Sequence, residues 1–261
     1  MVNQNPSTQR LGWLRECWIF QPADLERLAA LAEGAQTQRF PRGSDIQRRG
    51  DQPSHLLVLA RGRAKVCLPS PDNGSELLVS VASNGSVYGG APTIHGMPRA
   101  AGLVALEDCE VVTVPNRAFT TFLESEPPVA TRLLAVTTER LGLLMEILHI
   151  TRFLDLPSRL YRRLQHFALL QSRYVDDGLY IDHGLHQYDL ANSVGASREA
   201  LNKLLAKWKG RGLLDHGRGF VTVRDPERLI LQVPHLQQAE SLFGSKLGPT
   251  DPTSPSLLPH C

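Results

Sequence analysis

From Tyr188 to Leu204 the chain reads YDLANSVGASREALNKL, and this spacing admits few folds. Leu190, Val194, Leu201 and Leu204 recur at helical intervals, so they fall on the inner faces of two short helices. Gly195 stands where the chain must bend, because glycine takes a positive φ at no steric cost. Ala191 is small where the second helix must cross the first closely. Ser197 is placed to cap the second helix, which opens on Arg198 and Glu199 and continues through Asn202 and Lys203. This is the pattern of a DNA-binding helix-turn-helix, whose second helix enters the major groove by its N-terminal end. Arginine bonds guanine bidentately and glutamate accepts from cytosine N4, so the first exposed side chains are the ones expected at base edges. The competing reading is a plain helical hairpin in which Arg198 and Lys203 are only solvated charges. The Ala191–Gly195–Leu201–Leu204 framework favours the DNA-reading motif.

The formal net charge of +2 is too small to announce a nucleic-acid partner, but its distribution says more. Between His186 and Arg224, seven Lys or Arg face three acids, a local excess of four positive charges on and after the second helix. Phosphate contacts need such a cluster and make binding salt-dependent. A length of 261 residues with 42% hydrophobic and 21% charged side chains suits one or two globular domains with true cores. Cys17, Cys67, Cys109 and Cys261 are scattered without C-x-x-C or Cys/His spacing, so no iron–sulfur or zinc site is expected. No secretory leader and no apolar run near the ~20 residues of a membrane helix is visible, which predicts a cytoplasmic protein with reduced thiols and no membrane partner.

Residues 1 to about 10 are polar and read as loose; Leu11 to Ala32 reads as two short helices broken at Pro22–Ala23–Asp24. From Phe40 to Pro115 the texture turns to short β-type runs, at 55–60, 64–68, 76–82, 102–106 and 110–114, punctuated by turn residues. Such evenly spaced strands predict a small antiparallel barrel or jelly roll, a common ligand cup. Pro128 to Ile150 then reads as one long helix with a broad apolar stripe, fit to cover the barrel and, through Leu134, Leu141, Leu144 and Leu148, to form a dimer seam with imperfect heptads. Phe153-Leu154-Asp155 breaks it as a hinge. Beyond the hinge come an amphipathic helix, the helix-turn-helix, and strands 213–215 and 220–223 around His216–Gly219, the wing of a winged helix with Arg218 at its tip to meet a phosphate. Residues 226 to about 244 suggest an extra helix, and the Pro/Ser/Thr-rich end reads as disordered. The expected architecture is α+β: a sensor domain at 1–127, a dimerisation helix and hinge at 128–155, a winged helix-turn-helix at 156–225 and a C-terminal extension at 226–261.

Together these parts resemble the cyclic-AMP receptor/fumarate–nitrate regulator (CRP/FNR) family of bacterial transcription factors, over roughly Leu11 to Arg224. The likeness rests on the glycine rhythm Arg49-Gly50-Asp51, Ala60-Arg61-Gly62-Arg63-Ala64 and Gly85-Ser86-Val87-Tyr88-Gly89, on the hinge after the long helix, and on Gly195-Ala196-Ser197-Arg198-Glu199. It implies a cyclic-nucleotide-binding-type barrel and a homodimer on a palindromic operator, with RNA polymerase a further partner where transcription is activated. By position, Arg198 would pair with guanine and Glu199 with cytosine. Lys203 stands where the family often has arginine, and a lysine cannot form the bidentate fork.

The nucleotide pocket departs from the family. Cyclic-AMP binders carry G-E-L followed by P-R-S/A-A, the Glu holding the ribose and the Arg the phosphate. Here the stretch is Gly89-Gly90-Ala91, then Pro98-Arg99-Ala100-Ala101; Arg99 stays and Gly90 replaces the Glu. Alignment through the hinge puts Leu144 and Met145 where the family's adenine-bonding Thr-Ser would be. Each lost polar contact costs about 1–3 kcal/mol, so two or three would weaken cyclic AMP by powers of ten. Three effector classes follow: a different nucleotide such as cyclic di-GMP, favoured over cyclic AMP; no effector, the pocket being degenerate; or an apolar or haem-type ligand near Leu144 and Met145, with His95, Cys67, Cys109 or His149 as iron ligand. No hydrolase elbow, zinc-protease or P-loop motif supports an enzyme, and Asp176–Asp177 and Asp182–His183 read as acidic loop residues. An adaptor that has lost DNA binding is opposed by the intact Gly195–Lys203 segment.

Overall fold

The computed structural model describes residues 5–70, 75–90 and 96–233. The chain divides into two compact units, the first running through Leu143 and the second beginning at Leu144.

The first unit opens with α1 (Pro6–Glu16) and α2 (Leu25–Glu33), separated by a 3-10 turn over Trp18–Phe20. From Asn5 through α1 the chain is ordered rather than loose: Pro6 sits in the first turn of α1, and the Asn5 side chain caps it by accepting from the Ser7 N–H at 3.2 Å; residues 1–4 lie outside the described residues. Asp24 caps α2, accepting from the N–H groups of Glu26 and Arg27. Eight strands follow in two antiparallel four-stranded sheets, the jelly roll that the turn rhythm predicts. One has the order β1 (Gln36–Phe40), β8 (Cys109–Pro115), β3 (His55–Arg61), β6 (Val87–Tyr88). The other runs β2 (Asp45–Gln47), β7 (Gly102–Ala105), β4 (Ala64–Pro69), β5 (Glu76–Ala82). The barrel starts at Gln36 rather than Phe40. β1 is almost wholly exposed and carries no alternation, so its pairing with β8 leaves no pattern in the sequence.

Period-two alternation divides the buried residues of β3 and β8 between two cores. Leu56, Val58 and Ala60, with Val112 and Val114, meet Trp13, Leu14, Phe20, Leu28, Leu31 and the aromatic rings of α3 (Asn116–Ser125). Leu57, Leu59 and Val111, also buried, lie on the opposite face of that sheet. The long helix α4 spans Pro127–Phe153, about 40 Å at 1.5 Å per residue. Val129, Leu133 and Val136 join the helix-side core, and Arg140 lies over the Tyr88 ring at 4.3 Å while donating to the Val87 carbonyl.

The second unit holds the end of α4, then α5 (Leu156–Leu170), β9 (Ser172–Val175), β10 (Gly178–Asp182), α6 (Gln187–Ser193), α7 (Arg198–Gly210), β11 (Leu214–Gly217), β12 (Phe220–Val223) and α8 (Pro226–Ile230). Asp155, at the expected hinge, caps α5 by accepting from the Ser158 N–H at 3.0 Å. Leu160, Leu164, Phe167, Leu201, Leu205, Trp208, Val221 and Val223 are buried.

Two readings of this region need correction. Residues 172–182 form a hairpin, not a loop: Asp176–Asp177 is its turn, Asp182 ends β10, and β10 completes a sheet in the order β11-β12-β10-β9. The acidic turn masks two short strands in which only Leu179 and Ile181, both on β10, are buried, too few to stand out. The helix expected at 226–244 ends at Ile230 and is followed by a turn over 231–232; residues 234–261 lie outside the described residues, as do His95 and Ala91. Among the described residues no helix is long and apolar enough to cross a membrane.

Gly178 fixes the hairpin against the wing. Its φ is +127°, and a Cβ there would lie 2.2 Å from the Val223 carbonyl oxygen. Gly178→Ala should lower the stability of the second unit by at least about 1–3 kcal/mol from backbone strain alone. Gly142→Ala, within α4 where a Cβ meets nothing within 4 Å, should instead gain about 0.5–1 kcal/mol. Urea midpoints of the two variants check the opposite signs.

Candidate nucleic-acid interface and effector pocket

The reading head is assembled as its spacing predicts. Leu190, Ala191, Val194, Leu201, Leu204 and Leu205 are buried between α6 and α7. Gly195 takes φ +60° and lets Ala196 N–H reach back to the Ala191 carbonyl at 3.0 Å. Ser197 caps α7, its hydroxyl accepting from the Ala200 N–H at 3.2 Å. Arg198, Glu199 and Lys203 project from the exposed face, whereas Asn202 is half-buried on the flank of the helix.

Glu199 and Lys203 form an i,i+4 ion pair at 2.7 Å, both side chains about three-quarters exposed. An exposed pair of this kind contributes roughly 0.3–0.5 kcal/mol, so either partner can be released to a base or a phosphate at small cost. The wing is longer than expected: β11 continues through His216 and Gly217, leaving a two-residue turn of Arg218 and Gly219. The wing base is tied to the far end of α7, since Lys209 and Arg224 reach Asp215 at 2.7 and 3.5 Å. These cations, Lys209 first, hold the Asp215 carboxyl below its ordinary value.

Arg198 and Arg218, expected separately at base and phosphate, line one cleft of about 480 Å³ with His186, Gln187, Tyr188, His216 and Gly217. Sequence reading missed His186, Gln187, Tyr188 and His216 as candidates for contact; only folding the wing back beside α7 brings them together. Partial burial, then the Lys209 cation, push the His216 imidazole below its usual value, against the opposing pull of Asp215. The shift favours the neutral imidazole, which can either donate or accept a hydrogen bond.

At the expected effector pocket, Arg99 is buried, and desolvation lowers its guanidinium pKa. Its Nη2 donates to the His55 carbonyl, and Nη1 finds no hydrogen-bond partner among the described residues. The guanidinium lies so close over Gly89 that a Cβ there would stand 1.6 Å from Nη1. At Gly90 a Cβ would meet Leu133 Cδ1 at 2.7 Å. Leu133 thus fills the space where the family's glutamate would begin, a contact from α4 that no local motif reveals. Ala100 is exposed.

Leu144 and Met145, expected both at the pocket and near the seam, are 44% and 62% exposed on α4. Leu134, Leu141 and Leu148, expected at a dimer seam, are exposed as well, and with Thr138, Met145 and Arg152 they follow alternating steps of four and three. Met145 therefore belongs to this stripe, which makes its heptads regular, and Leu144 flanks it. Cys17, Cys67 and Cys109 are buried free thiols, pushed up to about 12, 12 and 11, chiefly by desolvation, so thiolate chemistry is suppressed at all three. His149 lies on α4 with its ring 5.3 Å from that of Phe153.

Comparison with known proteins accounts for both halves. Residues 37–126 match the cyclic nucleotide-binding domain, and residues 158–231 match the Crp-like helix-turn-helix domain. A CRP-like cAMP-activated global transcriptional regulator of Mycobacterium tuberculosis is 28% identical over 216 residues, covering 83% of this chain and 96% of that protein. A CooA mutant from Carboxydothermus hydrogenoformans has a similar fold, with a TM-score of 0.67 at 20% identity over 77% of this chain and 88% of that one. So does the c-di-GMP responsive global regulator CLP of Xanthomonas campestris, with a TM-score of 0.65 at 22% identity over 77% and 99%. With a cyclic nucleotide-binding domain followed by a Crp-like helix-turn-helix, the chain belongs to the CRP/FNR family of DNA-binding transcriptional regulators.

Proposed function

We propose that the protein is a homodimeric regulator that reads a palindromic operator and is gated by an anionic effector other than cyclic AMP. The observation that carries the DNA reading is the shared cleft: Arg198 at the start of α7 and Arg218 at the wing tip border the same exposed space. Arg198 faces base edges, Glu199 and Lys203 flank it, and Ser197 holds the helix end. Two such heads on a symmetric dimer sit about 34–36 Å apart, one turn of DNA. RNA polymerase is a partner where the regulator activates.

The dimer follows from an energetic imbalance. Four large apolar side chains at Leu134, Leu141, Met145 and Leu148 are each 59–67% exposed on one stripe of α4. A second copy of the same helix buries them by knobs-into-holes packing.

For the effector, the unpartnered Nη1 of Arg99 favours a ligand phosphate, because a buried guanidinium donor without an acceptor is costly. The missing ribose contact at Gly90 disfavours cyclic AMP, and the CLP likeness makes cyclic di-GMP the first candidate. One observation favours a second reading, DNA binding without an effector: Leu133 already occupies the space at Gly90, and Arg99 Nη2 already has an acceptor in His55.

Arg198→Ala should cost about 1–3 kcal/mol of operator binding and relax base preference at one position per half-site; unchanged footprint and affinity would remove α7 as the reader. Leu141→Asp should convert the dimer to monomer by sedimentation and weaken operator binding. Calorimetry with cyclic di-GMP and cyclic AMP separates the effector readings. Heat with cyclic di-GMP that disappears in Arg99→Met supports the anionic effector. No heat with either, together with full operator affinity, supports the second reading.

A further inference from the structure

The turn of the helix-turn-helix is built on backbone carbonyls that α6 cannot satisfy itself. The last carbonyls of any helix lack intrahelical donors, and here Ser193, Val194 and Gly195 point theirs at α5. Two arginines one turn apart on α5 meet them. Arg159 Nη1 donates to the Val194 carbonyl at 2.8 Å and the Gly195 carbonyl at 3.2 Å. Arg163 donates to the Ser193 carbonyl from Nε at 3.2 Å and from Nη2 at 2.9 Å.

Arg163 is 2% exposed, and desolvation lowers its pKa to about 10. A buried cation is a weak device for stability, because desolvation offsets much of the attraction to its acceptors. It is a strong device for fixing geometry, since a planar guanidinium donates in set directions. Gly195 is shaped to the same contact: a Cβ there would stand 3.2 Å from Arg159 Nη1 and 3.7 Å from Thr151 Cγ2 in the last turn of α4.

We infer that Arg159 and Arg163 are positioning residues for base reading: they lock the turn that aims α7 without touching DNA themselves. Arg159 is only the fourth residue of α5, just past the Leu154–Asp155 link, so a change of direction at that link reaches the reading head through this clamp. The inference rests on the operator-reading function proposed above.

The test uses the full-length protein and an operator selected from a random duplex library. Dissociation constants for the operator and for random duplex are measured over a salt series. Arg159→Met should reduce the operator-to-random ratio at least tenfold, leaving random-duplex affinity and the salt slope at wild-type values. Arg159→Lys, which keeps one nitrogen within reach, should recover most of the ratio. A salt slope lower by about one unit per half-site would make Arg159 a phosphate contact and overturn the inference; so would an unchanged ratio in a folded Arg159→Met. If Arg159→Met or Arg163→Met unfolds, a wild-type ratio in a folded Arg159→Gln, which cannot hold both carbonyls, overturns it equally. Wild-type protein that never discriminates the selected operator fails the function itself and takes the clamp with it.

Discussion

Everything in this chain hangs on a helix with two incompatible apolar demands. Val129, Leu133 and Val136 complete the core beneath the barrel, so that side of α4 is fixed by burial. Leu134, Leu141, Met145 and Leu148 lie on another stripe of the same helix and are left in water. A helix that served only as a lid would carry polar residues there. The residues of α4 in the first-unit core end at Val136, whereas the helix continues to Phe153 and carries the unpartnered stripe along that stretch. The same stretch brings Thr151 beside Gly195, so one helix carries core residues of the first unit, the exposed apolar stripe and a contact to the helix-turn-helix turn.

Leu133 shows how this helix bears on the pocket. It belongs to the helix-side core and at the same time closes over Gly90. A glutamate at position 90 would have to displace it. The departure from the cyclic-AMP pattern and the packing of Leu133 thus share one volume. A ligand seated at Arg99 lies beside a residue of α4, so its fit and the placement of the helix are set by the same contact. A population shift between DNA-competent and incompetent forms needs some differential contact of this kind.

What could be read from the sequence was the local part. The helix-turn-helix follows from residues within seventeen positions, each with a reason for its type, and the barrel follows from turn residues at regular intervals. Even the Glu199–Lys203 pair was available from i,i+4 spacing. The unread parts depend on partners far along the chain. β1 is polar on both faces and is a strand because β8 pairs with it. The 172–182 hairpin is held by β12, some forty residues on, through a glycine whose need appears only once Val223 is beside it. The cleft residues His186 and His216 meet only after the wing has folded back.

The arginines sort themselves by where their N–H groups go. Arg159 and Arg163 direct theirs to the carbonyls of the helix-turn-helix turn, which ties them to holding the protein's own geometry. Arg198 is exposed and makes no hydrogen bond or ion pair with any described residue, so its fork is free for a base edge. Arg99 lies between these limits, with Nη2 on the His55 carbonyl and Nη1 buried without a partner. A guanidinium that holds backbone carbonyls through its terminal nitrogens is tied to the protein's own geometry, and one fully solvated gains little from a single phosphate. In a buried arginine with one donor satisfied and one orphaned, an anion brought to the orphaned donor would relieve the cost of leaving it unpaired. That asymmetry distinguishes Arg99 from the exposed Arg198 and makes it the residue at which the proposed anionic effector is best tested.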